Sequence, residues 1–330
     1  MRVSQLFVIC WILITVLVHQ KVFSQDEVNT CQKVFAYKSD EFAEAYIIKI
    51  CSDAEKTPIG YESLINMPVC DDNLCANVIL MFYWDMAGNY IRFETLPGKP
   101  LTKFDHKRFT YADYQKLDQI LKDKNSMLRL LEKKDLVDKT IKIKATTVDA
   151  VTGATPKTVK NAVVEGAVYS SFTLWHFING AVKDSMAVYT RSIYSDHIAI
   201  RLLKSKNYES QLFALKQWSG KDYELHADLL FQVIRESTPI VRAYILGKLP
   251  LPFAEEDKNR ALITLFPDLD GYSKSIFLNR ITADRQIAKT ILPLMRSYLN
   301  VLNKSQLDQY LVAFDKFEIP GYQDLLKELH

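Results

Sequence analysis

The chain has 330 residues, 48% of them hydrophobic and 25% charged, and a formal net charge of +3. That balance fits globular domains with real cores and excludes an intrinsically disordered chain; the length suggests two domains. The charge is too small, and the lysines too evenly mixed with acids, for a nucleic-acid partner.

Met1 to Gln25 reads as a secretory signal peptide. Arg2 supplies a minimal positive end, and Leu6 to Val18 has the length of an h-region while being short for a membrane span. Cleavage is expected after Ser24, which makes residues 1–24 a removable signal and the protein periplasmic or extracellular. The weak positive end leaves an uncleaved, membrane-associated form open. Removing the segment takes away Cys10 and leaves Cys31, Cys51, Cys70 and Cys75. An even count in an exported chain favours disulfides, and four cysteines allow three pairings. The short polar loop from Cys70 to Cys75 can close on itself, which would pair Cys31 with Cys51. A zinc site is the alternative, but the spacing is irregular and no histidine lies near.

Phe42 to Cys51 can be read as a short helix or as a strand. Val78 to Trp84 is an apolar, β-rich run. Asp85 to Asn89 carries turn chemistry, and Tyr90 to Glu94 alternates like a returning strand, so the three make a hairpin. Tyr111 to Leu121 and Ser126 to Glu132 read as helical, and Ile141 to Lys144 as a strand. His106 reads as a solvated loop histidine. Trp175 and His176 read as core packing with a capped polar tip. Tyr83, Trp84, Tyr90 and Phe93 are either core or a wall for a flat ring.

The strongest signal follows. Asp149-Ala150-Val151-Thr152-Gly153-Ala154-Thr155 has the form Asp-x-x-(Ser/Thr)-Gly-Ala-Thr. Pro156 follows at what reads as the first helical position, with Thr155 as N-cap. Val159, Val163, Gly166, Ser170 and Leu174 then recur at helical spacing, and Asn179-Gly180 is a plausible stop. Lys157 and Lys160 have the wrong sign for a bare helix N-terminus and the right sign if an anion is held there. Gly153 lets backbone approach a phosphate without a Cβ in the way.

This heptad resembles the flavin-attachment motif of the FMN-binding domain family, which includes the covalent-flavin subunits of sodium-pumping quinone reductases and Rnf-type electron-transfer complexes. The motif and its following helix carry the resemblance, and the order of elements from about residue 75 to 180 agrees with it. The resemblance implies covalent FMN, joined through its phosphate to Thr155 by a dedicated flavin transferase. It also implies that Thr152, Gly153 and Ala154 contact the phosphate and that Asp149 shapes the turn, with Lys157 nearby. The implied role is electron transfer without a substrate of its own, a redox carrier more than an enzyme.

From about Ser195 the chain becomes a run of short amphipathic helices. Asn207 to Gln217, Pro239 to Lys248, Gly271 to Ile281 and Lys304 to Phe314 recur at about 32 to 34 residues. Between them lie Tyr223 to Arg235, Glu255 to Phe266 and Arg285 to Leu299. Such alternation resembles a HEAT-type α-solenoid, and an irregular bundle is the rival reading. The expected fold is therefore an α+β FMN-binding-like domain over residues 25–180, followed by an all-α, HEAT-like solenoid over residues 181–330. The solenoid would meet a redox or protein partner. The competing function is an exported interaction or scaffold protein whose FMN-binding-like fold holds no flavin. No Gly-x-Ser-x-Gly, Walker loop, His-Glu-x-x-His or Cys-x-x-Cys-His occurs.

The cysteine count predicts that the mature chain, starting at Gln25, has no free thiol. Thiol labelling of the denatured, unreduced protein should be negligible; two or more labelled cysteines would contradict the disulfide reading.

Overall fold

A computed structural model describes residues 30–38, 44–69, 77–103, 106–136 and 157–329. The signal segment, Cys70, Cys75, the expected strand at 141–144 and the heptad 149–155 lie outside the described residues.

Five strands open the described part: β1 (Thr30–Tyr37), β2 (Tyr46–Ser52), β3 (Pro58–Met67), β4 (Val78–Trp84) and β5 (Tyr90–Thr95). Each pairs antiparallel with the next, giving a sheet in the order β1-β2-β3-β4-β5. β4 sets the inner and outer faces by alternation. Val78, Leu80, Phe82 and Trp84 are buried, while Ile79, Met81 and Tyr83 are half-buried on the other side. The outer face carries cross-strand polar pairs: Lys49 with Glu62 at 3.3 Å, and the Arg92 guanidinium 3.9 Å above the Tyr83 ring. Cys31 lies directly opposite Cys51 and is bonded to it.

The inner face is closed by helices. α1 (Tyr111–Lys122) starts on a capping box in which Thr110 and Asp113 satisfy each other's backbone amides. It buries Leu117, Ile120 and Leu121 and is tied to β5 where Tyr90 Oη donates to Asp118 at 2.8 Å. Burial, and then that bond to an acid, push the Tyr90 hydroxyl above its ordinary pKa. The segment expected as a helix at 126–132 is a 3-10 turn, Met127–Leu130, capped by Ser126.

The helix expected to run unbroken from Pro156 to Asn179 is two pieces. α2 (Lys157–Lys160) is a single turn, and α3 (Val168–Asn179) starts only after Gly166, whose φ of +75° no helix accommodates. Ser171 holds the break in place: its hydroxyl accepts from Val164 N at 3.0 Å and donates to Ala167 O at 2.9 Å. α3 then drives Phe177 into the sheet. Its ring centroid lies 5.1 Å from Tyr46, 6.1 Å from Tyr37 and 6.3 Å from both Phe82 and Trp84. α4 (Ala181–Ser192) also packs on the sheet, with Tyr61 Oη and Thr190 Oγ1 2.6 Å apart in the core. One apolar core thus runs across residue 180.

The helices continue as α5 (Asp196–Leu203), α6 (Tyr208–Gln217), α7 (Gly220–Leu225), α8 (Ala227–Glu236), α9 (Pro239–Lys248), α10 (Glu256–Thr264), α11 (Gly271–Ala283), α12 (Arg285–Ile291), α13 (Lys304–Lys316) and α14 (Tyr322–Leu329). α6, α9, α11 and α13 stack side by side in that order. Their buried contact residues recur at intervals of 32: Ala214, Leu246, Leu278 and Tyr310. The segments before each of them, α5, α8, α10 and a 3-10 stretch (Pro293–Val301), keep the same interval in Ala199, Phe231, Ile263 and Met295, all buried. Polar links fix the register of the stack. Arg242 reaches Asp270 at 3.2 Å, and Gln306 Nε2 donates to Gly271 O at 3.2 Å. The layout is an antiparallel sheet with helices followed by an all-helical part. Among the described residues no helix is long and apolar enough to cross a membrane.

Phe177 is 1% exposed and touches four sheet aromatics. Phe177→Ala should cost about 3–5 kcal/mol of unfolding free energy, read from denaturant midpoints. A loss below about 1 kcal/mol would mean that the sheet does not depend on α3.

Candidate functional site

Asp149, Thr152, Gly153, Ala154 and Thr155 fall outside the described residues. Of the sequence-derived site, the structure describes the backbone of Lys157, the first residue of α2. What it does show is how the chain is received after the heptad. Val159, Val163 and Val164 are each no more than 2% exposed, so the segment leaving Thr155 is anchored in the core within a few residues. Lys116 Nζ, on α1, donates to Lys160 O at 3.5 Å.

Between α1 and this segment lies an open groove of about 530 Å³. Lys116, Gln119 and Ile120 of α1 form one wall, Asn125 and Met127 one end, and Asn161 the opposite wall. Side-chain amides, the Lys116 ammonium, the Asp123 carboxylate, Ser126 and an apolar strip line it. The α3 side is fixed by Trp175, whose Nε1 donates to Asp123 O at 2.8 Å, and by His176, whose Nε2 lies 3.0 Å from Leu128 O. Both are packing residues with a satisfied polar tip. Trp84 and Tyr90 are buried and Tyr83 faces outward under Arg92, so these aromatics do not form a common wall. Its volume falls in the range common for small-molecule sites.

One part of the phosphate reading changes. A helix dipole acts through its first turn and grows with the aligned peptides behind it. α2 has four residues, and the longer α3 begins at Val168. The broken helix therefore removes the long dipole as an anion anchor, and among the described side chains Lys116 and Lys160 are left as positive charge near it.

A second polar centre was not foreseen. The β4–β5 turn is buried among the helices, with Asn89 only 1% exposed. Asp85 Oδ1 accepts from the amides of Ala87 and Asn89, both at 2.8 Å, and Oδ2 accepts from Ser210. Asn89 Nδ2 donates to Ser210 Oγ at 2.9 Å, and Asn89 Oδ1 accepts from Lys124 Nζ at 2.7 Å. Lys124 and Lys183 share Glu209, the latter at 2.9 Å. Burial alone would raise the Glu209 carboxyl, but the two lysines outweigh it and hold it below its ordinary value. Burial, and then the charge of Lys183, pull Lys124 below the ordinary lysine value against the pull of Glu209. With two acids and two lysines the cluster is internally neutral, so it reads as a clamp between sheet and helices. The only sequence signal for it was the turn itself.

Cys31, Cys51 and the Glu62 carboxylate also lie together, but the two sulfurs are already bonded to each other. No family model, curated protein or solved structure matches this chain.

The clamp has a pH signature. Glu209 has a depressed pKa when folded, so its stabilisation is complete above the carboxylate range of the unfolded chain and is lost as pH falls through the folded value. Glu209→Gln should cost about 1–3 kcal/mol at pH 7, the worth of hydrogen bonds to a charged group. The gap to wild type should close as both are taken to acid pH in urea titrations. A gap independent of pH would mean that charge is not what Glu209 contributes.

Proposed function

We propose that this is an exported flavoprotein that carries electrons on FMN linked by a phosphoester to Thr155. The observation that carries the reading is the heptad from Asp149 to Thr155; the segment that follows it, from Lys157, runs beside a groove of about 530 Å³. On this reading Thr152, Gly153 and Ala154 contact the phosphate and Asp149 shapes the turn. Lys157 and Lys160, with Lys116 across the groove, supply the countercharge that the single-turn helix cannot. FMN would supply one- or two-electron redox chemistry. Gln119, Asn125 and Asn161 would offer amide partners to the bound group, and Ile120 and Met127 an apolar surface. A flavin transferase would be needed for maturation.

A second reading is favoured by the repeated helices. Stacked pairs at an interval of 32 residues support a HEAT-like solenoid, and solenoids commonly present extended surfaces to partners. An exported scaffold protein without flavin would use that surface alone.

The two separate at Thr155. A phosphoester needs a hydroxyl, so Thr155→Val should abolish attachment, while losing a cap costs only about 0.5–2 kcal/mol and leaves the fold. Thr152→Val removes only a hydrogen bond and should leave some flavin. Wild type and both variants would be exported alongside a flavin transferase and read for flavin fluorescence on a denaturing gel. No band and no FMN-sized mass on wild type would favour the scaffold reading. Equal bands on wild type and Thr155→Val would place attachment elsewhere.

A further inference from the structure

Three exposed large apolar side chains occupy one position of the helical repeat. Tyr208, Ile240 and Tyr272 are 44%, 54% and 61% exposed and lie 32 residues apart, each at the start of a stacked helix. The next place in the series is Lys304, exposed at the start of α13. The Arg242–Asp270 and Gln306–Gly271 links show that the starts of α9, α11 and α13 lie side by side. α6 packs on α9 in the same 32-residue register, which places Tyr208 one step before Ile240; the three residues are successive rungs of the stack, ending on a cation.

Packed helices sit roughly 8–10 Å apart, which sets the rung spacing. An extended β-strand repeats the same face about every 6.8 Å, which does not match. A polyproline II segment advances about 3.1 Å per residue with three residues per turn, so it repeats a face about every 9 Å, which does. Tyrosine rings give prolines a flat apolar surface. Their hydroxyls can donate to the backbone carbonyls that this conformation leaves without internal partners.

Charge narrows the occupant further. The segments leading into these helices expose Lys204, Lys206, Arg235 and Lys304 against Glu236 and Asp268. Asp270 is held by Arg242, and Glu209 by Lys124 and Lys183, so neither acid offsets the excess. We propose that the edge marked by Tyr208, Ile240 and Tyr272 binds an acidic polypeptide segment in polyproline II conformation, with a proline on each rung and an acid at Lys304. This surface stands independently of flavin attachment.

The test uses the full mature chain and two fluorescein-labelled peptides of equal charge and length, one repeating Pro-Pro-Glu and one repeating Gly-Ser-Glu. Fluorescence anisotropy should show the proline peptide binding about tenfold more tightly. The variant Tyr208→Ser/Ile240→Ser/Tyr272→Ser should lose about that factor, and Lys304→Glu should weaken the proline peptide several-fold at low salt. The rungs are exposed, so the melting temperature should not move. Equal affinity for the two peptides on wild type would reduce the surface to non-specific charge and overturn the proposal. So would unchanged binding by the triple variant, or binding of phosphatidylglycerol vesicles or dextran sulfate with neither peptide bound.

Discussion

A hairpin turn normally sits in water, where its backbone groups need no protein partner. The turn between β4 and β5 does not. Met86 and Ala87 are buried with it, and Asn89 is nearly sealed. Each buried polar group left without a partner costs about 1–3 kcal/mol, so the turn is tolerable only inside a complete network. Asp85 takes the turn's own amides, Ser210 and Asn89 close the ring, and Lys124, Lys183 and Glu209 balance the charge. Gly88 is obligatory there: its φ is +77°, and a Cβ would lie 2.7 Å from Lys183 O. Sheet and helices therefore specify each other, because neither satisfies this turn alone.

The same clamp positions the groove. Lys124 follows α1 by two residues, so α1 is held at its C-terminal end by the turn and on its flank by Tyr90 and Asp118. The opposite wall is held by Val159, Val163 and Val164 and by the hydroxyl of Ser171. A ring lying between them would meet preset amides without ordering a loop, which lowers the entropic cost of holding it.

Legibility from sequence followed the strength of local pattern. β4, β5, α1 and α9 were readable because alternation or helical spacing and a cap agreed. β3 was not, because Pro58, Gly60 and Ser63 look like loop residues; Ser63 is fully buried opposite Phe82, a placement only the sheet determines. β1 was missed because a register shift between Lys33 and Phe35 breaks its alternation. Tyr223 to Arg235 read as one helix, yet it divides at His226, whose ring stacks on Trp218 at 4.9 Å. The heptad was visible as a string, whereas Lys124, Lys183, Glu209 and Ser210 become neighbours only through tertiary packing. The Cys31–Cys51 pairing follows in sequence from the short Cys70–Cys75 loop, and strand register brings the two cysteines opposite each other.

The helical repeat shows why composition alone concealed its regularity. Equivalent buried positions hold Ala214, Leu246, Leu278 and Tyr310, which differ several-fold in side-chain volume, and the position four residues earlier holds Ser210, Arg242, Lys274 and Gln306. What repeats is burial, not identity: each layer fills the space its neighbours leave, so a large residue in one layer goes with a different partner set in the next. Selection on packing thus lets residue types drift while the 32-residue register stays. The drift has one limit. Ser210 is drawn into the clamp on Asp85, whereas Arg242 and Gln306 at the same repeat position reach the neighbouring helix start instead. The first layer of the stack has been turned toward the sheet and the later layers toward each other. That difference makes the sheet the end cap of the helical array, and it leaves the free helix starts as the edge along which a partner can run.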